Sequence, residues 1–144
     1  MNTVDFNGAM LRFGPVVRAR SDQVLIASAL ELHASIRVGS SLTGSPGAPK
    51  ATGYLQNSIQ IGKGGTPSFK QSGEGPVDGT IPAGPTGTEL VGLKVGTDVV
   101  IATNTVYAEV QEHMHKTKAN HWSLSEAGWG RIVDHYAGQI LEPQ

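Results

Sequence analysis

The stretch VGTDVVIATNTVYAEVQEH, residues 95–113, contains the change of periodicity that decides the fold. Its residues 99–102 are mostly β-branched and apolar, which favours a strand. Residues 90–95, LVGLKV, have a similar composition, and the Gly-Thr-Asp sequence between the two segments is typical of a turn. The two segments therefore predict an antiparallel hairpin.

The second half of the stretch has the spacing of a short helix. Asn104 and Thr105 are residue types whose side chains accept hydrogen bonds from the first free N–H groups of a helix, so either is a candidate cap. The residues expected on the inner face of this helix are Tyr107, Val110 and Met114. The stretch is thus predicted to be a joint at which a hairpin leads into a helix.

A long amphipathic helix is predicted over residues 16–38. Pro15 suits the first turn of a helix, and Gly39 is a natural end. Upstream, Val4 and Phe6 alternate with polar residues as in a short edge strand. The apolar stripe of the helix consists of Leu25, Ile26, Ala29, Leu30, Leu32 and Ile36.

Two segments connect this helix to the hairpin. Residues 52–59 predict a short turn that leads into a strand with the sequence IQIG. Residues 62–89 are rich in glycine and proline and poor in large apolar residues. Because such a segment cannot bury enough apolar surface to order itself, it is predicted to form a flexible, extended loop.

The C-terminal segment predicts one or two further helices. Ser123 and Glu126 have the spacing of a capping box, in which two side chains satisfy free N–H groups at a helix start. Gly128 and Gly130 interrupt the pattern. The apolar positions that suit this segment are Leu124, Ala127, Ile132, Tyr136 and Ile140. The predicted fold is α+β, a single domain over residues 1–144 with a small antiparallel sheet against the long N-terminal helix.

The composition excludes several classes of function. The chain has 144 residues, no cysteine and a formal net charge of −1, which excludes disulfides and cysteine nucleophiles and gives no basic excess for nucleic acid. Charged residues make up 16%, against about 25% in an average soluble domain. No apolar run reaches the roughly 18 residues of a membrane span, and the N-terminus lacks a secretory pattern, so we expect no membrane partner.

The late histidines are the main candidates for chemistry. His113 and His115 resemble a metal-binding pair, with His121 downstream, but residues two apart on a helix point in different directions and the HExxH spacing is absent. Glu109 and His113 share a helix face, which favours a structural ion pair. No nucleophile or carboxylate pair has a catalytic context, so we expect no enzymatic activity, no metal and no cofactor.

Two glycine-rich segments and two tryptophans have ordinary explanations. Residues 44–52 and 62–65 lack the GxxxxGK[ST] pattern of a phosphate-binding loop, and Pro49 has no N–H to offer a phosphate. Trp122 and Trp129 are seven residues apart, the spacing of one helix face. That spacing favours core or interface anchors over platforms for base stacking.

Two blocks of the sequence carry a resemblance. The first is residues 48–59, APKATGYLQNSI, and the second runs from the Val-Gly-Thr at residues 95–97 to NTVYAEVQE at residues 104–112. Together, after an amphipathic N-terminal helix, they resemble the neck and minor tail-component proteins of long-tailed bacteriophages. The resemblance covers residues 4–113. The chain departs from that family at residues 113–117, where a Phe-Gly-Thr turn is usual, and at the start of the last helix, where Pro-Phe-Leu is usual.

The resemblance implies a structural virion protein of the neck or tail, present in the host cytoplasm during assembly. Copies would form a closed ring, expected to be a hexamer, for tail completion or head-tail joining. Its partners would be a head-side connector or stopper and a tail terminator or tail tube, with DNA only passing through the channel. A tail-terminator or head-closure ring fits equally well. Two other interpretations are a metal-dependent enzyme that uses the late histidines and a regulatory or toxin-like domain encoded by a prophage.

The residues of the two blocks are expected to support assembly rather than catalysis. They are Pro49, Thr52, Gly53, Leu55, Ser58, Ile59, Asn104, Tyr107, Ala108 and Glu112. Gly53 permits a tight turn before Leu55 enters the core. Tyr107 offers a ring and a polar tip to a helix that rests on a sheet, and Ala108 permits close approach of that helix. Residues 62–89 are expected to project as an arm that wraps a neighbouring copy.

Overall fold

A long N-terminal helix organises the fold. The computed structural model describes residues 3–50, 53–69 and 81–141, with side chains from Arg18 onward. In chain order the elements are α1 (Thr3–Val38), α2 (Tyr54–Ser58), β1 (Gln60–Lys63), β2 (Val99–Ala102), α3 (Ala108–Met114), α4 (His121–Ala127) and α5 (Trp129–Leu141). The prediction of a mixed helix-and-sheet fold with a long N-terminal helix is confirmed.

The N-terminal helix is longer than the sequence predicts. α1 already begins at Thr3, so the edge strand expected at Val4 and Phe6 is wrong, and Pro15 lies inside the helix rather than at its start. Proline in a helix interior forfeits one backbone hydrogen bond, but it does not by itself end the helix when the turns on either side form. The end of α1 at Val38 agrees with the prediction, and Gly39 follows in the left-handed conformation, with φ of 94°.

The sheet pairs different segments from those expected. β1 is antiparallel to β2, with Gln60 opposite Ala102 and Lys63 opposite Val99. The hairpin predicted from residues 90–95 and 99–102 is therefore wrong. Residues 90–95 instead form turns, in which the Leu93 N–H donates to the Leu90 carbonyl oxygen at 3.0 Å.

A glycine explains why residues 90–95 do not extend into a strand. Gly92 has φ of 81°, in the left-handed region that an L-residue in a strand does not adopt. The turn also brings Leu90 and Leu93, three residues apart, into the same apolar cluster, whereas a strand would place them on opposite faces. Residues 64–69 and 81–88 of the expected loop contain no helix or strand. Residues 70–80, its middle, lie outside the described residues.

Two apolar clusters lie along one side of α1. The first contains Ala29 with Ile61, Leu90 and Leu93, and the second contains Ile36 with Ala48, Leu55 and Ile59. Ile101 of β2 packs against both clusters, so the small sheet covers part of the C-terminal half of the helix. The predicted stripe of α1 is thus confirmed as the side of the helix that packs on the sheet and on α2.

The three helices that follow the sheet differ in how they are held. α5 packs along α1 through the fully buried Ile132, while Tyr136 and Ile140 are half-buried, as predicted. Leu124 and Ala127, which were expected to face inward, are exposed. The reason is that α4 and α5 are separate helices: the chain turns at Gly128, so one apolar stripe does not continue through both.

The helix caps also differ from the prediction. α4 starts after Asn120, which has φ of 64°, so Ser123 lies inside the helix and the expected capping box is wrong. α3 follows Tyr107 without a side-chain cap, so neither Asn104 nor Thr105 caps it. Distant partners replace the expected ones in two places: Glu112 accepts the first N–H groups of α4, and the Thr105 hydroxyl donates to Ser58.

A cluster of buried hydroxyl groups fastens the end of α1 to α4. Ser35 Oγ lies 2.6 Å from Thr43 Oγ1 and 2.7 Å from Ser125 Oγ. Ser45 Oγ lies 2.8 Å from the carbonyl oxygen of His121 and accepts the Gly47 N–H. We call Ser35, Thr43, Ser45 and Ser125 the hydroxyl joint. All four residues are buried, and each hydroxyl has a partner, as buried polar groups require.

Of the helices in the described part of the chain, none combines the length and apolar character that a membrane crossing requires.

Candidate functional site

The two motif blocks meet in the folded chain. Leu55 and Ile59 of the first block lie in the second apolar cluster, and Tyr107 and Ala108 of the second block pack against that cluster. Residues some 50 positions apart in the sequence therefore form one surface at the C-terminal end of α1. Thr52 lies outside the described residues.

Ser58 explains why a hydroxyl is found in the first block. Its Oγ donates to the Leu55 carbonyl oxygen at 2.7 Å and lies 2.8 Å from Thr103 Oγ1. The Thr105 hydroxyl donates to Ser58 Oγ at 2.9 Å. Ser58 is fully buried, and these hydrogen bonds satisfy its hydroxyl. They also tie α2 to the end of β2. Asn104, between the two threonines, is half-buried.

Gly53 starts α2 in a conformation that suits glycine. It has φ of 90°, and its carbonyl oxygen accepts the Asn57 N–H at 3.0 Å. The Gln56 side chain donates to the Ala48 carbonyl oxygen at 3.0 Å, which holds α2 against the preceding segment. From α1, Arg37 Nε donates to the Gln56 carbonyl oxygen at 2.8 Å. α2 is therefore fixed at both ends despite its five residues.

Glu112 is the cap that the sequence did not reveal. Its carboxylate oxygens accept the backbone N–H groups of Trp122 and Ser123, at 2.8 Å and 2.9 Å, at the start of α4. Oε2 also lies 3.1 Å from Nδ1 of the buried His121. Burial alone would raise the pKa of Glu112, but the two N–H groups and His121 together hold that pKa below its usual value.

The late histidines serve structure. His121 Nδ1 faces two acceptors, the Lys118 carbonyl oxygen and Glu112, so this nitrogen carries the proton. His115 Nδ1 instead accepts the backbone N–H groups of Thr117 and Lys118. The expected ion pair of Glu109 with His113 is wrong: in the part of the chain that the structure describes, no such pair is found, and Glu112 instead contacts His121. Within residues 3–50, 53–69 and 81–141, no group of three metal-ligating side chains is found.

One residue outside the two blocks also supports the site through a hydrogen bond. His33 of α1 is buried, and its Nε2 donates to the Ile59 carbonyl oxygen at 2.7 Å. Burial lowers the pKa of His33, an effect that the hydrogen bond opposes and the nearby Arg37 charge reinforces. The neutral ring is the form that fits this position. The apolar stripe of α1 passes beside His33, so its pattern gave no sign of this contact.

An open groove of about 450 Å³ lies where the two blocks meet. It is lined by Pro49, Lys50, Gly53, Tyr54, Leu55, Tyr107, Gln111, His115 and Lys118. We call it the basic groove, because lysines are the only residues of fixed charge among the described residues that line it. Burial, reinforced by the neighbouring Tyr54, raises the pKa of Tyr107, so its hydroxyl stays protonated. Of the residues expected to act, Pro49, Gly53, Leu55 and Tyr107 are brought together here.

A second, apolar groove of about 370 Å³ lies on the other side of the sheet edge. Trp122 and Trp129 both line it, together with Leu25 and Leu32 of α1 and Val99 of β2. The two tryptophans therefore share a surface, as their spacing indicates, although they lie on two different helices. Trp122 also packs against the second apolar cluster.

The outer face of α3 is apolar and exposed. Val106 is 69% exposed, Val110 is 53% exposed and Met114 is 76% exposed. Val110 and Met114 are four apart on α3 and so lie on one face of the helix, and Val106 lies in the turn just before it. We call them the α3 stripe. The prediction that Val110 and Met114 face inward is wrong, because only Tyr107 of that set packs on the core.

Comparison of the chain with protein-family models, with curated proteins and with solved structures found no match.

Proposed function

We propose that this chain is a structural protein of a bacteriophage neck, of the tail-completion or head-tail joining type, which assembles into a closed ring. The α3 stripe is the observation that supports assembly most directly. Scattered apolar residues are normal on a surface. A group of three exposed apolar residues next to the motif surface is typical of a face that another protein covers.

A second exposed apolar pair supports a ring rather than a simple dimer. Val91 and Val95 are exposed, and the Val95 N–H donates to Asp22 of α1 at 2.8 Å. The α3 region packs instead near Ile36. At ~1.5 Å per residue, Asp22 and Ile36 are about 21 Å apart along the helix. Two separate apolar surfaces are what a head-to-tail contact between copies requires, since each copy presents one surface to each neighbour.

Within the proposal, six copies form the ring, and the ring contacts a head-side connector or stopper on one side and a tail terminator or tail tube on the other. A tail-terminator or head-closure protein has the same requirements for its surfaces. The metal-dependent enzyme gains nothing from the late histidines, because His121 is bound to Glu112 and His115 Nδ1 is bound to the turn that follows it.

The test is the copy number of the chain in purified phage particles, measured by quantitative peptide mass spectrometry. We expect about six or twelve copies per particle, as in one closed ring. Hundreds of copies would identify a tube or shell subunit instead. Absence from particles would contradict the proposal and favour the regulatory or enzymatic interpretation.

A matched pair of variants connects the copy number to the α3 stripe. Val110→Asp places a charge in the stripe, whereas Leu141→Asp places one at an exposed apolar position at the end of α5. Both should fold, because surface substitutions change stability by only about 0.5 kcal/mol. We expect Val110→Asp to be lost from particles and Leu141→Asp to be retained. Equal incorporation of both variants into particles would show that assembly does not need the α3 stripe.

A further inference from the structure

The polar lining of the basic groove combines two cations with uncharged groups, among them the Gln111 amide, which both donates and accepts. Lys50 and Lys118 are the fixed charges, and no carboxylate is among the described residues that line the groove. The chain as a whole has 12 acidic and 11 basic residues, so this lining departs from the balance of the sequence. His115 adds a further donor: because its Nδ1 accepts two N–H groups, the neutral ring carries its proton on Nε2.

The position of Lys118 is fixed by its backbone. The Lys118 N–H donates to His115 Nδ1 at 2.9 Å, and the Lys118 carbonyl oxygen accepts from His121 Nδ1 at 3.2 Å. The Asn120 N–H donates to the Glu112 carbonyl oxygen at 2.7 Å and closes the same turn. The lysine is half-buried and lines the groove, so it reaches the groove from a hydrogen-bonded turn.

The tyrosines add an uncharged donor and an apolar wall. Tyr107 keeps its hydroxyl proton, and its ring packs on the second apolar cluster. Tyr54 is buried beside it, and Leu55 completes the apolar wall of the groove. A ligand that fits must therefore combine negative charge with some apolar surface.

We propose that the basic groove binds an acidic segment of a partner protein, with a carboxylate of that segment placed between Lys50 and Lys118 and hydrogen-bonded to His115 Nε2–H. This inference rests on the proposed function, because the partner is a neighbour of the chain in the neck. It adds the chemistry of that neighbour: an acidic side chain, followed by an apolar one that contacts the α3 stripe. His115 borders both surfaces, since it also lines the depression beside Val110 and Met114.

Nucleic acid fits the groove less well than an acidic peptide. Backbone recognition of DNA needs several phosphate contacts from a basic stripe, and here the basic groove offers two lysines. A groove of this volume is of the size that takes small ligands and short side-chain anchors.

The test uses the purified chain and a fluorescein-labelled peptide of three Glu-Leu repeats at physiological ionic strength, with binding measured by fluorescence anisotropy. We expect saturable binding that Lys118→Glu weakens by about tenfold or more, as removal of a partner of a close charge pair does. Arg20→Glu is the matched control: it makes the same charge change at an exposed position on α1, outside the groove and the α3 stripe. Arg20→Glu should bind within about twofold of the unmodified chain, and Lys118→Arg should retain most of the binding.

Three results would overturn the inference. They are the absence of saturable binding, an equal loss in Arg20→Glu and Lys118→Glu, and tighter binding of a single-stranded oligonucleotide with the same number of charges. Thermal unfolding of each variant confirms that it is folded. Because the peptide assay needs no phage particle, its failure is distinguishable from failure of the neck proposal: six copies per particle with no peptide binding removes only the groove assignment.

Discussion

The hydroxyl joint and the α3 stripe invert the usual distribution of polar and apolar side chains. At the joint, Ser35 and Ser125 are fully buried, yet each hydroxyl is hydrogen-bonded within the chain. On α3, Val110 and Met114 are apolar and lie in solvent. The two regions are neighbours, because Glu112 of α3 caps α4, which carries Ser125.

The difference shows which contacts the chain completes by itself. Buried hydroxyls are tolerated when every donor and acceptor is satisfied, so the joint is a finished internal structure. The apolar surface of the α3 stripe, in contrast, is left exposed by the part of the chain that the structure describes. The joint should therefore be sensitive to changes that affect folding, and the α3 stripe should be sensitive only to changes that affect assembly.

The largest effect on the joint should come from Gly47→Ala. A Cβ at Gly47 would lie 2.4 Å from the Val38 carbonyl carbon, and Gly47 has φ of 79°. Backbone atoms cannot move aside without opening the joint, so we expect a loss of about 3–4 kcal/mol in the free energy of unfolding, measured by denaturant titration. Gly44→Ala is the control, with φ of 75° but open space around the Cβ, and should lose about 1 kcal/mol. Similar losses in both variants would contradict this close packing.

A smaller loss is expected where α4 turns into α5. In Gly128→Ala the new Cβ would lie 2.5 Å from Thr43 Cγ2 and 2.9 Å from Thr43 Cα, so Thr43 would be displaced from the joint. We expect a loss of about 2 kcal/mol in the free energy of unfolding. Gly130→Ala has nothing within 4 Å of its Cβ and lies in α5, so it should stabilise by up to about 1 kcal/mol. If Gly128→Ala and Gly130→Ala changed the free energy of unfolding in the same direction, the close contact of Gly128 with Thr43 would be contradicted.

The connection between the two regions is tested by Glu112→Gln. The amide keeps one acceptor oxygen but loses the charge that the α4 N–H groups and His121 stabilise. We expect a loss of about 1–2 kcal/mol at neutral pH, measured by chemical denaturation. Because the pKa of Glu112 is lowered in the folded chain, this contribution is present above about pH 4.5 and is lost as the pH falls through the folded value.

Glu109→Gln on the exposed side of the same helix is the control for Glu112→Gln, and it should change stability by less than about 0.5 kcal/mol. If the two variants unfolded alike, the capping role of Glu112 would be refuted.

The smallest effect is a pH dependence from His33, on the side of α1 that faces the motif blocks. Burial lowers the pKa of His33 in the folded chain. As the pH decreases through about 6.5, the unfolded chain therefore binds the proton more readily than the folded chain, and the free energy of unfolding decreases. Thermal unfolding between pH 7.5 and 5.5 should show this fall, in a range where Glu112 remains charged. His33→Gln keeps an N–H donor for Ile59 but does not titrate, so its stability should fall less over the same range. Parallel curves would remove His33 as the source.

The sequence was informative where one local pattern has one structural solution. The apolar stripe of α1 predicts the main helix, and the expected entry of Leu55 into the core is observed. The amphipathic pattern of α5 likewise gave the burial of Ile132.

The misses came from long-range partners. Ser123 has a local capping pattern, but Glu112 reaches the same N–H groups from another helix. Thr105 has the composition of a cap, but its hydroxyl donates to Ser58, 47 residues away. The apolar spacing of Val110 and Met114 predicts burial inside the chain, but both residues are exposed. Periodicity indicates an apolar face and does not indicate which molecule covers it. The lysines of the basic groove had no local pattern, since Lys50 and Lys118 meet only through the fold.

The oxidation rate of Met114 is the most direct test of the claim that the α3 stripe is covered by another copy or partner. A thioether oxidises readily when it is exposed, and Met114 is 76% exposed in the single chain. Peroxide treatment followed by peptide mass spectrometry would compare the free chain with assembled particles that contain it. Rapid oxidation in the free chain and strong protection in particles is the result that we predict. Equal rates in the two states would show that the α3 stripe remains uncovered and would contradict the proposed assembly.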